Sequence, residues 1–142
     1  MEELFSFLLI FSTVFLTGVV WVVQISVYPA LQYFENDGFA SRHDDYRNRI
    51  AYLVTIPMLL ELSATVYAVF FPFDWLGRGP AIILLAMLGV IWISTVFIQV
   101  PHHERLSTRK DESAIRALVR GNWVRTIFWS LRSAVLFAAL ML

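Results

Sequence analysis

Four long runs of apolar residues, separated by polar segments, make up most of the chain. They extend over Leu4 to Val27, Ile50 to Pro72, Ala81 to Val100 and Asn122 to Leu142. A transmembrane helix needs about 20 mostly apolar residues, so each run is long enough to cross a bilayer. The pattern predicts an all-α fold, in which four transmembrane helices form one up-and-down bundle and a single domain over residues 1–142.

The segments between the runs are polar and unequal in length. Tyr28 to Arg49 is expected to hold a short interfacial helix or an extension of the second span. Residues 73–80 contain Gly and Pro and predict a tight connection. Residues 101–121 are expected to form a long loop that carries a short amphipathic stretch, Ser113 to Arg120. The start of the chain is acidic where a secretory signal is basic, so we expect the first span to be retained.

The positive charges predict the orientation of the bundle. The N-terminus, the second loop and the C-terminus together hold only Arg78. The first and third loops hold the other positive residues outside the spans: Arg42, Arg47, Arg49, Arg105, Arg109, Lys110, Arg116 and Arg120. Since Lys and Arg accumulate in cytoplasmic loops, the two long loops are predicted to be cytoplasmic and both termini outside.

Polar residues inside the runs recur at three- and four-residue steps, which places them on one face of each helix. Because polar groups in lipid are costly, these faces are predicted to meet inside the bundle. The faces contain Thr13, Thr17, Trp21, Gln24 and Tyr28 in the first span, Tyr46, Ile50, Leu53, Pro57, Glu61 and Thr65 in the second, Trp92, Thr95 and Gln99 in the third, and Asn122, Arg125, Trp129 and Arg132 in the fourth.

Glu61 and Arg132 are charged residues near the middle of their spans. At 1.5 Å per residue they lie roughly 18 Å and roughly 16 Å from the predicted cytoplasmic ends. Matching depth predicts an ion pair between them. The pair is either a structural link between two helices, or a site where Glu61 handles protons or anchors a ligand together with Arg132.

A second polar cluster is predicted nearer the cytoplasmic boundary. One interpretation is structural, because hydrogen bonds between helices and boundary tryptophans are common in membrane proteins. The other is a cytoplasm-facing pocket, with Trp21, Tyr28, Trp123 and Trp129 as walls and Arg125 with two amides holding a polar head group. The candidate ligand-binding residues are Gln24, Tyr28, Gln99, Asn122, Trp123, Arg125, Trp129 and Arg132.

All three histidines, His43, His102 and His103, lie on the predicted cytoplasmic side. His43 extends the polar face of the second span, and His103 follows Gln99 by one helical step, so we expect His43 and His103 to converge. With Asp44 or Glu104 they match the ligand set of a divalent metal such as Zn, Cu or non-haem Fe. Without a metal, the same imidazoles can exchange protons with a bound ring near neutral pH.

Composition narrows the classes of function. The chain has no cysteine, which excludes disulfides, Fe–S clusters and thiolate-bound metals. Eleven Lys and Arg balance eleven Asp and Glu, so no basic surface for nucleic acid is expected. Phosphate-binding loops and serine-hydrolase or zinc-protease motifs are also absent from the sequence.

Two segments, from Tyr28-Pro29 to Leu62 and from Gln99-Val100-Pro101 to Arg132, resemble a group of small bacterial four-helix integral membrane proteins of unknown function. More distantly, they are similar to the anthrone-oxygenase-like membrane proteins, whose motif after the third span usually has Asn at the position of His103. The residues that match the closer group are His43, Glu61, Gln99, Pro101, His103, Asn122, Trp123, Arg125, Trp129 and Arg132.

Three classes of function remain open at this stage. The first is a redox or metal-assisted enzyme acting on an apolar small molecule such as a quinone, polyketide or lipid, with Glu61, His43 and His103 as candidate catalytic residues. The second is a non-catalytic lipid-binding protein or an accessory subunit of a larger membrane complex. The third is a small transporter that works as a homo-oligomer.

Overall fold

The computed structural model describes residues 1–141, which form four long helices. They are α1 (Glu2–Tyr33), α2 (Phe39–Phe70), α3 (Arg78–Leu106) and α4 (Glu112–Met141). Each helix is long and apolar enough to cross a bilayer. The chain is therefore all-helical, and its helices indicate a multi-pass membrane protein.

The helices are longer than the apolar runs. α2 begins at Phe39, so residues 39–49 extend the second span, whereas residues 28–33 form the end of α1. α4 begins at Glu112, and the expected long loop over residues 101–121 is wrong, because most of it is helical. The connections that remain are residues 34–38, 71–77 and 107–111.

Two local features fix the starts of α2 and α4. Gly38 precedes α2 with φ +66°, a left-handed conformation that glycine adopts without strain. Asp111 caps α4, because its Oδ1 accepts the backbone N–H groups of Ser113 at 2.9 Å and Ala114 at 3.1 Å. The Ser113 hydroxyl also donates to Oδ1, and Arg105 donates to Oδ2 at 2.6 Å. These bonds favour the carboxylate and hold the pKa of Asp111 well below its usual range.

The ends of the four helices pack in two separate clusters. At one end, Leu9, Ala68, Ala81 and Leu136 pack together around Phe73 of the second connection. We call this the connection end. At the other end, which carries His43 and His103 and which we call the histidine end, the cluster contains Leu31, Phe39, Leu106, Ala114 and Leu118. A third cluster between them contains Leu16, Met58, Leu88, Ile91 and Trp129.

α1 and α3 each contain one π-helical turn immediately before an X-Pro step. The turns are Val23–Val27, followed by Tyr28-Pro29, and Thr95–Gln99, followed by Val100-Pro101. Proline lacks the N–H that would bond to the carbonyl four residues earlier, which loosens the helix there. π-turns are often found at functional sites. Here both turns lie at the histidine end, and they carry the buried residues Gln24 and Gln99.

Candidate functional site

The deeper of two buried polar layers contains the pair Glu61 and Arg132. Arg132 Nε donates to Glu61 Oε1 at 3.1 Å, and both side chains have 0% exposure. Thr13 Oγ1 donates to the same carboxylate oxygen at 2.7 Å, and Trp129 Nε1 donates to Oε2 at 3.0 Å. The predicted pair is therefore present, and it connects α2 with α4 and, through Thr13, with α1.

Each nitrogen of the Arg132 guanidinium donates a hydrogen bond. Its Nη2 donates to Thr65 Oγ1 at 3.1 Å, and its Nη1 donates to the Leu84 carbonyl on α3. Every charged atom of the pair thus has a partner within the protein, and all four helices contribute one. This geometry favours the structural interpretation of the pair; a catalytic role for Glu61 stays a prediction.

The shallower layer begins with a chain of hydrogen bonds through two histidines and a tyrosine. His43 Nε2 lies 3.1 Å from His103 Nδ1, and His103 Nε2 lies 2.9 Å from the Tyr28 hydroxyl. Tyr28 donates to Gln99 Oε1 at 3.1 Å. The predicted convergence of His43 and His103 is confirmed.

One assignment of protons satisfies this whole chain. Tyr28 uses its hydroxyl hydrogen in the bond to Gln99 Oε1, so His103 donates to Tyr28 through Nε2 and accepts at Nδ1. His43 then donates through Nε2, and its buried Nδ1 has no partner among the described residues. Both imidazoles are neutral in this arrangement. The chain of hydrogen bonds leads from the polar end of α2 toward the interior of the bundle.

Beside this chain lies a cavity of about 370 Å³ at the histidine end. Its polar lining includes Tyr28, Gln99, His103, Asn122 and Arg125, and its walls are mainly aliphatic side chains from α1 and α2. The wall residues are Val19, Val20, Val23, Ile50, Ala51, Val54 and Met58.

The cavity opens between α2 and α3. Its lining residues Ala51 and Thr55 on α2 are exposed, and Val100 on α3 is 45% exposed. These residues belong to helices that are apolar enough to lie in a bilayer. Asn48 on α2 and Glu104 on α3 also line the cavity and are exposed, so the opening extends from these polar residues to the apolar parts of the two helices.

Four side chains that line the cavity carry buried polar atoms without a partner among the described residues. They are the Tyr46 hydroxyl, Gln99 Nε2, Asn122 Oδ1 and Arg125 Nε. Buried polar groups are normally hydrogen-bonded, because an unpaired one loses its interactions with water and gains nothing in return. Four such atoms lie around this one cavity.

Arg125 connects the two layers. Its side chain is 7% exposed, and its guanidinium lies over the ring of Trp129, 5.3 Å from the centroid. Trp129 in turn donates to Glu61. No carboxylate among residues 1–141 forms an ion pair with Arg125.

The remaining predicted ligand-binding residues lie at different distances from the cavity. Gln24 is buried beside it, donating to the Val119 carbonyl at 3.2 Å and accepting from Asn122 at 3.0 Å. Trp129 lies beneath Arg125, and Arg132 belongs to the deeper layer. All five polar residues predicted to point inward are buried: Gln24, Glu61, Gln99, Arg125 and Arg132.

Three residues were placed on the wrong face. Trp123 and Trp21 were predicted as pocket walls, but they are 42% and 40% exposed and pack edge to face on the outside of the bundle. Trp123 is therefore not a ligand contact of this cavity. Leu53 was assigned to the inward face of α2 but is 49% exposed. In each case the apolar surface of the side chain suits lipid as well as the interior.

The predicted metal site is met only in part. His43 and His103 are adjacent, but residues 1–141 contain no group of three or more His, Asp or Glu arranged to hold a metal ion. Asp44, expected as a further ligand, pairs with Arg47 at 2.8 Å instead. A metal bound by the two histidines stays a prediction.

The site also contains a residue that was left out of the predicted ligand set. Tyr46 lines the cavity, and its hydroxyl is one of the unpartnered atoms. It follows His43 by one helical step, so it was placed on the inward face but was not distinguished there from a packing residue. Tyr46 is identified as a site residue by its place in the cavity lining, which the spacing of residues along the sequence does not predict.

Comparisons with protein-family models, with curated proteins and with solved structures find no match to this chain.

Proposed function

We propose that this protein binds an apolar small molecule with a polar head, of the quinone, polyketide or lipid class, in the histidine-end cavity. The observation that carries the proposal is the set of four buried, unpartnered polar atoms around a cavity with mostly aliphatic walls. Small-molecule sites characteristically combine apolar walls with a few convergent polar groups. The opening between α2 and α3 lets such a molecule enter from the bilayer.

The chain of hydrogen bonds gives this site acid–base chemistry. A proton taken up at His43 Nδ1 releases the Nε2 proton to His103 Nδ1, His103 passes its own Nε2 proton to the Tyr28 oxygen, and Tyr28 releases its hydroxyl proton to the bound head group instead of donating it to Gln99. Tyr28 and His103 both line the cavity, so the proton reaches a bound head group. We propose that the protein is an enzyme that exchanges protons with its ligand in this way, and that the fully bonded Glu61 serves as a structural residue.

We place the protein in the bacterial inner membrane as an up-and-down bundle, with the histidine end in the cytoplasm and both termini outside. The concentration of positive residues near the histidine end supports this orientation. The resemblance to small bacterial four-helix membrane proteins supports the bacterial membrane.

The proposal predicts that an amphiphile remains with the protein during purification, and that filling the cavity removes it. Thr55→Trp places a large side chain at the exposed opening, whereas Ile56→Trp places the same side chain on an adjacent, 60% exposed position outside the lining. Mass spectrometry of organic extracts should find a near-stoichiometric compound in the wild type and the Ile56→Trp variant, and several-fold less in the Thr55→Trp variant.

The outcome against the proposal is an identical extract from all three proteins. A His43→Phe variant separates an enzyme from a lipid-binding or accessory protein, because it breaks the proton chain but leaves the cavity lining intact. Under the enzymatic proposal this variant keeps the bound compound but does not convert it. Metal analysis and an absorption spectrum of the same preparations test whether a metal occupies the two histidines.

A further inference from the structure

We infer that the head group received by the cavity is an anionic oxygen group, for which Arg125 provides the opposite charge. This inference rests on the proposed function and names the chemical class of the ligand. The group is a carboxylate, the enolate or phenolate of an acidic ring, or a phosphate. All of these present charged oxygens to a guanidinium.

The two buried arginines of α4 differ in their partners. Arg125 and Arg132 lie about two turns apart on α4, and both are buried. Arg132 has a carboxylate partner and a hydrogen bond from each of its three nitrogens. Arg125 has neither a carboxylate partner among the described residues nor any partner for its Nε. The protein thus supplies the counter-charge at the deeper site and leaves it out at the cavity.

Burial of the Arg125 charge has a free-energy cost. A buried charge is costly unless an opposite charge or several hydrogen bonds compensate it. The ring of Trp129 makes a cation–π contact with Arg125, but the ring has no net charge and does not neutralise the guanidinium. An anionic ligand completes the site in the same way that Glu61 completes the site of Arg132.

The unpartnered polar atoms around the cavity are mostly hydrogen-bond donors. Gln99 Nε2, the Tyr46 hydroxyl and Arg125 Nε are all able to donate, while only Asn122 Oδ1 must accept. The other charged residues that line the cavity are Arg47 and Glu104, of opposite sign, and Glu104 is exposed. Arg47 is paired with Asp44, so Arg125 is the one buried and unpaired charge among the described lining residues, and donors outnumber acceptors among the unpartnered atoms, which suits an oxygen anion.

The rest of the ligand is inferred to be mainly apolar. Most of the remaining lining residues are aliphatic, although Asn48, Thr55 and Thr95 also line the cavity, and a volume of about 370 Å³ holds a small ring system or part of an acyl chain. The inferred ligand is therefore an acidic amphiphile, and neither a neutral one nor a free inorganic anion.

The test is a binding competition in phosphatidylcholine nanodiscs. Tritiated dodecanoate is the probe, the competitors are dodecanoate, dodecyl phosphate, 1-dodecanol and inorganic phosphate, and protein-free nanodiscs give the background. The wild type should bind dodecanoate or dodecyl phosphate at least about tenfold more tightly than 1-dodecanol, since one charge-assisted contact contributes this much. Inorganic phosphate should not compete.

Variants of Arg125 test whether this residue is the source of the preference for anionic over neutral ligands. Arg125→Met should bind anion and alcohol within about threefold of each other, and Arg125→Lys should keep part of the preference because it retains the charge but not the fork of donors. Arg120→Gln, at an exposed position on the same helix outside the lining, is the matched control and should behave as the wild type. If Arg125→Met does not fold, the wild-type preference and Arg125→Lys still decide the question.

The two proposals fail in different ways. If 1-dodecanol binds the wild type as tightly as both anions, the anionic head group is wrong while the binding cavity stands. If Arg125→Met keeps the full preference for anions, the assignment to Arg125 is wrong. If no probe binds above the background, both proposals are wrong. Tighter binding of dodecyl phosphate than of dodecanoate would support the inference and point to a lipid phosphate.

Discussion

Glu61 and Arg132 illustrate how two ionised residues persist in the middle of an apolar bundle. Each atom that carries charge is hydrogen-bonded, and the partners come from all four helices. A buried pair of this kind gains little over a well-packed apolar pair, but removal of one member leaves the other uncompensated. The pair therefore specifies the register of the helices more than it adds stability.

This view predicts a strongly non-additive double-mutant cycle. Glu61→Gln and Arg132→Met should each destabilise the protein by about 3–5 kcal/mol, because each leaves a buried group without its partner. The double variant should be more stable than the sum of the two losses implies. Thermal unfolding in one detergent, followed by circular dichroism, measures all four proteins. Single variants as stable as the wild type would contradict the structural role.

Side-chain contacts were predictable where helical phase and depth act together. The Glu61–Arg132 pair follows from equal depth, and the meeting of His43 with His103 follows from extending two polar faces. Trp123 was assigned wrongly because indole suits both a protein interior and a lipid boundary, so its phase alone does not decide its environment. The sequence did not predict that Arg125 lacks a carboxylate partner, because residue spacing does not show which side chains of the other helices lie near it.

At the scale of the helices, α3 and α4 approach closely beside the cavity. Gly121 faces Ile98, and a Cβ added at Gly121 would collide with the Ile98 side chain and lie 3.2 Å from Gln99 Nε2. The absence of a side chain at Gly121 thus sets the distance between α3 and α4 at the level of Gln99.

Gly121→Ala should therefore disturb the site while leaving the rest of the bundle intact. We expect a loss of about 1–3 kcal/mol from overpacking, together with weaker ligand retention as Gln99 shifts. Gly89→Ala is the matched control on α3, since nothing lies within 4 Å of the added carbon. Thermal unfolding and the extract assay check both variants, and equal behaviour of the two would contradict the close approach.

The number and order of the helices were predictable from apolar runs alone, but the ends of the helices were not. The apolar runs mark the part of each helix suited to lipid, whereas α2 and α4 continue through polar residues such as Asp44, Arg47 and Arg116. These extensions pack Phe39, Ala114 and Leu118 into the cluster at the histidine end. Helices stabilised by packing beyond the bilayer leave no signal in a search for apolar length.

For the molecule as a whole, the distribution of charge predicts which end meets the cytoplasm. Most Lys and Arg residues outside the apolar runs lie toward the histidine end, while Arg78 is the one near the connection end. Positive residues are retained on the cytoplasmic side during insertion. This orientation also places His43, the outer residue of the hydrogen-bonded chain, toward the cytoplasmic end of the bundle.

Single cysteines test the orientation directly, because the chain has none of its own. Asp74→Cys lies in the exposed connection between α2 and α3, and Asn36→Cys and Thr108→Cys lie in the exposed connections at the histidine end. In intact bacterial spheroplasts, a membrane-impermeant maleimide should label Asp74→Cys and spare the other two. In inside-out vesicles the pattern should reverse, and the unmodified protein should remain unlabelled in both. Labelling of Asn36→Cys and Thr108→Cys in spheroplasts would overturn the orientation, and with it the supply of cytoplasmic protons to the His43–His103–Tyr28 chain.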